Sequence, residues 1–189
     1  IINSWWDFGH WFKAMADRGV TFDGASQNGP NAHWIGLVLM TDDEDTATGL
    51  LRMVDCGQND ALNILGKNVG TMTTVKIIYQ IVKMDAHSAQ TLLQKYVSPE
   101  TAAQIIEKTH CAPPEDYFIT SEDMVGKTPV WAHFGSWDFE RSYAWNHRNN
   151  VSTQEALNSV GVPNETAAAW IGEAQRITDE REANSWISP

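Results

Sequence analysis

Between Thr41 and His110 the sequence repeats one pattern: a capping residue, a polar first turn, and apolar residues three and four positions apart. That spacing places the apolar side chains on one face of an α-helix, whereas a half-buried strand needs strict alternation. The segment SPETAAQIIEKTH is the most explicit, with Ser98 before the first turn and Pro99 within it. TDDEDTATGLLRMV opens with acidic residues, which favour the positive end of a helix. The middle of the chain is therefore predicted to be a series of short amphipathic helices.

Elements at the two ends are predicted in the same way. A first helix is predicted in SWWDFGHWFKAMADRG, with Ser4 as its N-cap and Gly19 as its C-cap. Its first turn, Trp5–Gly9, is expected to lie near the surface. Short strands are predicted in VTFDG and at 117–120, and a last helix begins near Pro163 or Asn164. AHWIGLVLM fits a helix or a buried strand, and helix is favoured. The predicted fold class is mainly α with a few short strands (α+β).

Charge and hydropathy exclude two classes of protein. Lys and Arg number 13 against 24 Asp and Glu, and the net charge of −11 argues against a nucleic-acid partner. The longest apolar run, WIGLVLM, is far shorter than the roughly 20 residues that a membrane helix needs. Both chain ends look like internal sequence, so residues 1–189 are interpreted as one compact soluble domain of a longer protein.

Cysteine and histidine usage leaves one question open. Cys56 and Cys111 would pair in an oxidising compartment and close a stabilising loop, or would stay as half-buried thiols. The six histidines show no ligand spacing such as HxxxH, so no metal site is predicted in this chain.

The stretch WWDFG holds a carboxylate among indoles. Aromatic residues at helical spacing usually only pack, but Trp5 and Trp6 are adjacent and cannot both face one core from a helix. Asp7 follows directly, and an acceptor-only carboxylate beside two indole N–H donors makes a polar pocket with an apolar wall. Such a pocket suits a ligand that combines a hydroxyl or amide with a methyl group.

A second candidate segment is ITSEDMVGKTPVWAHFGSWDFE. Asp123 and Lys127 stand four positions apart and would share a helical face, which by itself indicates only a surface ion pair. Farther along, HFGSWDF repeats the composition of the first motif through Trp137 and Asp138.

Residues 4–10, SWWDFGH, closely resemble the WWDYG signature of the oligosaccharyltransferase catalytic subunit, which glycosylates Asn-X-Ser/Thr sequons. MADRGVTFDGASQN is similar to the segment that follows this signature, and the stretch near Asp123 resembles the family's DxxK motif. Phe8 stands where the consensus has Tyr, and Asp123 and Lys127 have DxxxK spacing. Either a local bulge absorbs the extra residue, or Met124 makes the contact.

The resemblance implies that Trp5, Trp6 and Asp7 bind the hydroxyl of the sequon's Ser or Thr. Asp123, Met124 and Lys127 would complete the acceptor site and touch the Thr methyl. It also implies an archaeal single-subunit glycosyltransferase, with no catalytic residue in this chain. The reaction would use acidic residues and a divalent cation (Mn²⁺ or Mg²⁺) in an upstream membrane region that is absent from this chain.

The resemblance extends to partners and location. They would be an acceptor polypeptide bearing Asn-X-Ser/Thr and a lipid-linked oligosaccharide, with this domain monomeric, inactive alone and on the extracellular face of the membrane. Two other interpretations remain: a non-catalytic peptide- or sugar-binding module, and a domain in which every Trp only packs. The chain also carries two sequons of its own, at Asn150 and Asn164.

Overall fold

In the computed structural model, which describes residues 1–113 and 115–188, the chain is mainly helical. The first half contains strand β1 (Ile2–Asn3), a 3₁₀ turn (Trp6–Phe8) and helices α1 (Gly9–Ala16), α2 (Asn31–Met40), α3 (Glu44–Gly57), α4 (Asp60–Val69), α5 (Thr71–Ile81), α6 (Ala86–Leu93) and α7 (Pro99–Thr109). The second half contains strand β2 (Tyr117–Phe118) and helices α8 (Glu122–Gly126), α9 (Thr128–Gly135), α10 (Phe139–Asn146), α11 (Thr153–Ser159), α12 (Asn164–Arg176) and α13 (Glu180–Ile187). The predicted fold class is confirmed. None of the helices in the described ranges is long and apolar enough to cross a bilayer.

Capping side chains explain where several of these helices begin. The carboxylate of Asp43 accepts from the backbone N–H groups of Asp45 and Thr46 at the start of α3. The hydroxyl of Ser98 accepts from the N–H of Thr101 at the start of α7. Such caps satisfy donors that the helix itself leaves unpaired. The starts predicted from TDDEDT and SPETAAQ are therefore confirmed.

Helix α2 lies at the centre of the main core, so AHWIGLVLM is helical as favoured. It packs on α3 and most extensively on α9. The backbones of α2 and α9 touch because both carry glycine at the crossing. A Cβ added at Gly36 would lie 2.5 Å from the carbonyl oxygen of Trp131, and one at Gly135 would lie 2.5 Å from the carbonyl carbon of Gly36. This crossing fixes α9 beside the N-terminal segment.

The predicted helix start at Ser4 was wrong, because a strand at Ile2–Asn3 continues into extended backbone at Trp5 and α1 begins only at Gly9. β1 pairs in parallel with β2, Ile2 opposite Tyr117 and Asn3 opposite Phe118. Ser4 does not cap a helix, since its hydroxyl donates to the carbonyl oxygen of Ile119 (2.7 Å), 115 positions away. This long-range pairing overrides the local helical periodicity at Ser4 and Trp5. The strand predicted at 117–120 exists over its first two residues.

Helix α1 also ends earlier than predicted. It stops at Ala16, and Asp17 adopts a left-handed conformation (φ 50°) in which its N–H donates to the carbonyl of Phe12. Gly19 is therefore not the cap. Its carbonyl instead accepts from the N–H of Ile2 (2.8 Å). The strand predicted in VTFDG is reduced to an isolated bridge between Val20 and Ile2.

Helices α10 to α13 enclose a second, smaller core. Its buried members are Ala144, Leu157, Val162 and Ala167. Helix α12 begins at Asn164 as predicted, but it is not the last helix, because α13 follows with its own cap at Asp179. The carbonyl of Trp186 in α13 accepts from the guanidinium of Arg141 in α10 (2.9 Å).

A disulfide joins α3 to the segment after α7. Cys56 and Cys111 are bonded, with their Cα atoms 5.7 Å apart and 55 positions between them in the sequence. Of the two alternatives left open by the sequence, the paired one is correct. The bond links the last turn of α3 to the segment that leads into β2.

Candidate functional site

The two adjacent tryptophans lie in different environments. Trp5 is extended (φ −64°, ψ 150°), and only 1% of it is exposed. Its indole packs edge-on against Phe22, with ring centroids 5.1 Å apart, and against Phe134 of α9 at 6.2 Å. Trp6 opens the 3₁₀ turn and is half-buried. The predicted surface position of Trp5 was wrong, and Trp6 is the indole of the pair that remains partly accessible.

Gly9 is needed where two chain segments touch. A Cβ added to it would lie 2.5 Å from both the carbonyl oxygen of Phe22 and the Cβ of Asp23. Asp23 is itself fixed, because its carboxylate bonds the ammonium of Lys13 and the backbone N–H groups of the turn that follows. The bond from Lys13, more than the turn, holds the pKa of Asp23 below its usual range. Sequence reasoning missed Gly9 and Asp23, because a side chain at position 9 is excluded only when the fold brings residues 9 and 23 together.

The second motif lies on the corner between α8 and α9. Asp123 is in the first turn of α8 and accepts from the hydroxyl of Ser121 (3.1 Å). The indole N–H of Trp131, one helix later, donates to the carbonyl oxygen of Met124 (2.8 Å). Trp131, which sequence reasoning had not singled out, thereby ties α8 to the helix that packs on α2.

Lys127 joins the two motifs. Its ammonium donates to Oδ1 of Asp7 (2.6 Å) and to Oδ2 of Asp123 (2.5 Å), although Asp7 lies 120 positions away. The bonds to Asp123 and then to Asp7 raise the pKa of Lys127, and the bond from Lys127 lowers the pKa of Asp123. The structure therefore confirms the predicted closeness of the segments around Asp7 and Asp123–Lys127.

Asp7 keeps one oxygen without a donor. Its side chain is 25% exposed, but Oδ2 is buried and has no hydrogen-bond partner among the described residues. A buried carboxylate oxygen that lacks a donor costs free energy comparable to a lost hydrogen bond. The site therefore offers one unpaired acceptor atom to a ligand that can donate.

Met124 faces the opposite way from its neighbour Lys127. It is 4% exposed and belongs to the main core. Its thioether accepts from the backbone N–H of Ser121 (3.4 Å). Of the three residues proposed from the second motif, Lys127 is the one that contacts Asp7.

The second adjacent tryptophan–aspartate pair, Trp137 and Asp138, has an ordinary structural role. The carboxylate of Asp138 caps α10 by accepting from the N–H of Arg141 (2.9 Å). The N–H of Asp138 donates to the carbonyl of Ile187 in α13 (3.2 Å). Its similar composition to WWDFG therefore does not carry over to a similar site.

The acidic pair does not fit a divalent cation. The ammonium of Lys127 stands between the carboxylates of Asp7 and Asp123, where a bridging metal would have to sit. Within residues 1–113 and 115–188, no three His, Cys, Asp or Glu side chains are grouped as a metal site requires.

A separate concavity of about 350 Å³ has mostly apolar walls. Its lining includes Pro30, His33, Trp34, Phe134, Trp137 and Phe139. The imidazole of His33 is already engaged by the carbonyl of Phe134 (2.8 Å) and the hydroxyl of Tyr79 (2.6 Å). Burial lowers the pKa of His33 to about 4, so the ring is neutral at physiological pH. This concavity shares Phe134 with the packing around Trp5.

The first three-quarters of the chain match a known protein family. The model of the STT3/PglB/AglB core domain matches residues 1–141, which include both motifs and Lys127. The chain belongs to this family.

Two curated relatives bear the same name, dolichyl-phosphooligosaccharide-protein glycotransferase. The protein from Methanocaldococcus jannaschii is 38% identical over 149 residues, and the one from Methanococcus voltae is 35% identical over 148 residues. Each alignment covers 74% of this chain but only 16% of the relative, so the chain spans a small part of such proteins. No solved structure gives a significant match.

Proposed function

We propose that this domain recognises the acceptor sequon Asn-X-Ser/Thr for a parent oligosaccharyltransferase. Family membership and the relatives' name, a glycotransferase that acts on protein, support this assignment. The observation that carries it is Oδ2 of Asp7, which is buried without a hydrogen-bond partner in the part of the chain that the structure describes, while Lys127 holds the other carboxylate oxygen.

In this proposal, the hydroxyl of the sequon's Ser or Thr donates to Oδ2 of Asp7. Lys127 fixes the carboxylate through Oδ1, so the second oxygen is oriented before the peptide arrives. Because Oδ2 is covered, a neighbouring side chain has to move to admit the hydroxyl. A site built to hydrogen-bond a hydroxyl rejects analogues that lack it, since its own polar atoms are then left unpaired.

The other predicted residues fill supporting roles. Asp123 anchors the ammonium of Lys127 from the far side (2.5 Å). Trp6, which is half-buried, forms the accessible indole wall. Trp5 and Met124 support the site from within the core, where they are 1% and 4% exposed.

The remaining steps are assigned to parts of the parent protein outside this chain. Transfer of a glycan from a lipid-linked donor, with its divalent cation (Mn²⁺ or Mg²⁺), belongs to a membrane region of that protein. This domain is monomeric, lies on the extracellular face and is inactive alone.

Three acceptor peptides that differ only at the hydroxyl residue test the proposal: Asn-X-Thr, Asn-X-Ser and Asn-X-Val. Val matches Thr in shape but has no hydroxyl to donate. We expect the parent enzyme to glycosylate the Thr and Ser peptides. Turnover of the Val peptide should be at least tenfold lower, a difference equivalent to about 1.4 kcal/mol. Equal use of the Val and Thr peptides would contradict the proposal.

A further inference from the structure

The chain carries two sequons, and they lie in different kinds of structure. Asn150-Val151-Ser152 occupies the turn between α10 and α11, whereas Asn164-Glu165-Thr166 forms the start of α12. We propose that Asn150 is itself a glycosylation site of this protein and that Asn164 is not. The inference rests on the proposed function, because it requires the domain to share a compartment with glycan transfer.

The Asn150 sequon is open to an incoming enzyme. All three of its residues are exposed, and Val151 is fully so at 101%. The side-chain carbonyl of Asn150 accepts from the backbone N–H (3.0 Å) and the hydroxyl (2.9 Å) of Ser152. Both bonds use Oδ1, and no described residue accepts from the amide nitrogen, which is the atom to be modified.

The Asn164 sequon is held by its surroundings. Its side-chain carbonyl accepts from the amides of Gln154 (2.7 Å) and Asn158 (3.1 Å), both on α11. Residues 164–166 are the first three of the helix, directly before the fully buried Ala167. Extending this sequon in an acceptor site means unwinding the first turn of α12 and breaking the contacts with α11. Extending the turn at Asn150 leaves α12 intact and breaks short-range bonds, those of Asn150 with His147, Ser152 and Thr153.

The surface around Asn150 has room for a sugar. Residues 146–151 line an open concavity of about 600 Å³. At its edge, the guanidinium of Arg148 lies over the indole of Trp145, 4.6 Å from the ring centroid. A first sugar on Asn150 would meet the polar side chains of this turn rather than a packed neighbour.

The modification would be a simple displacement. The amide nitrogen of Asn150 forms a bond to the anomeric carbon of a glycan carried on a lipid phosphate. The bond from that carbon to the phosphate oxygen breaks, and the lipid phosphate leaves with the electron pair. The amide nitrogen gives up one proton to a base, so the step needs no oxidant or reductant.

The test uses the full-length parent enzyme, its lipid-linked glycan donor and an added Asn-X-Thr peptide as an internal control. Peptides from a digest are analysed by mass spectrometry before and after incubation. We expect one glycan mass on the fragment with Asn150 and none on the fragment with Asn164. That mass should disappear in Asn150→Gln and in Ser152→Ala, which keeps the asparagine, and persist in Asn164→Gln. These substitutions lie outside residues 1–141, so use of the added peptide should be unchanged.

An unmodified Asn150, or a glycan on Asn164 instead, overturns the inference. The added peptide then separates the two proposals. If the peptide is glycosylated while Asn150 is not, the proposed function stands and this inference fails. If neither is glycosylated, both fail.

Discussion

The ammonium of Lys127 bonds the carboxylate of Asp7 at 2.6 Å, across 120 positions of sequence, and so turns two separate motifs into one site. The same ammonium holds Asp123, on the corner that Trp131 ties to α9. The position of Asp7 thus depends on the packing of α9 as much as on its own turn.

The first prediction concerns how Asp123 titrates. Lys127 lowers the pKa of this carboxyl, so the pair stabilises the fold above the ordinary aspartate pKa and that contribution is lost as pH falls. In Lys127→Met the pKa of Asp123 should rise towards 3.8. A pH titration of the side-chain carboxyl carbons by NMR measures this. Asp43 serves as the control, because its pKa is lowered mainly by Thr46 and should not move. An unchanged Asp123 in the variant would show that Lys127 does not bind it in solution.

A second prediction concerns two glycines, Gly9 where two chain segments touch and Gly66 in the open. Gly9→Ala places a methyl group 2.5 Å from the carbonyl oxygen of Phe22, so we expect a loss of about 1–3 kcal/mol in the free energy of unfolding. In Gly66→Ala, within α4, the added methyl group has no atom of the described residues within 4 Å, so the change should be neutral or stabilising by up to about 1 kcal/mol. Denaturant unfolding of both variants provides the comparison, and equal effects would mean that the contact at Gly9 is not tight.

The third prediction follows from a buried carboxyl on α3. Asp55 accepts twice from the side-chain amide of Asn3 (3.0 and 3.2 Å), and burial followed by the carboxyl of Asp116 raises the pKa of Asp55 to about 7. Since the folded state binds this proton more tightly than the unfolded chain, stability should fall as pH rises from about 4 to about 7. Asp55→Asn mimics the protonated form of Asp55. At pH 8 its melting temperature should therefore be higher than that of the unmutated domain.

Melting curves at several pH values test this prediction. The gain in melting temperature from Asp55→Asn should shrink as the pH falls from 7 to 4. It should vanish below pH 4, where the side chain at position 55 is uncharged in both proteins. A gain that is equal at all pH values would contradict the raised pKa of Asp55.

The fourth prediction concerns the disulfide. Replacing both Cys56 and Cys111 with Ser opens a loop of 55 positions, for which chain entropy gives a loss of about 4 kcal/mol. Guanidinium unfolding of the variant should show this loss. Reducing the disulfide of the unmutated domain should cause the same loss. A loss below about 1 kcal/mol would mean that the unfolded chain is already restricted there.

The sequence predicted those elements whose signals are local. Caps such as Asp43 and Ser98 bond residues two or three positions away, so the starts of α3 and α7 were predictable. The start of the chain was not, because Ser4 bonds a carbonyl 115 positions away and Trp5 packs on Phe134. Helical periodicity cannot register either contact.

The site divides in the same way. Residue chemistry indicated a polar pocket at Trp5–Asp7, and family resemblance added Asp123 and Lys127. The bond between Asp7 and Lys127, and the inward turn of Met124, arise from the packing of α8 and α9. The need for Gly9 arises from its contact with Phe22. Each depends on segments that one stretch of sequence cannot bring together.

The most direct test of the central claim is to measure acceptor-peptide turnover and melting temperature on the same variant, Asp7→Ala in the parent enzyme. Lys127 keeps its bond to Asp123, so the melting temperature should stay close to that of the unchanged protein. Loss of a charge-assisted hydrogen bond of about 1.5–3 kcal/mol should reduce turnover of Thr and Ser sequons roughly ten- to hundredfold. A parallel loss of turnover and melting temperature would assign Asp7 a structural role, and normal turnover with an unchanged melting temperature would contradict its role in recognition.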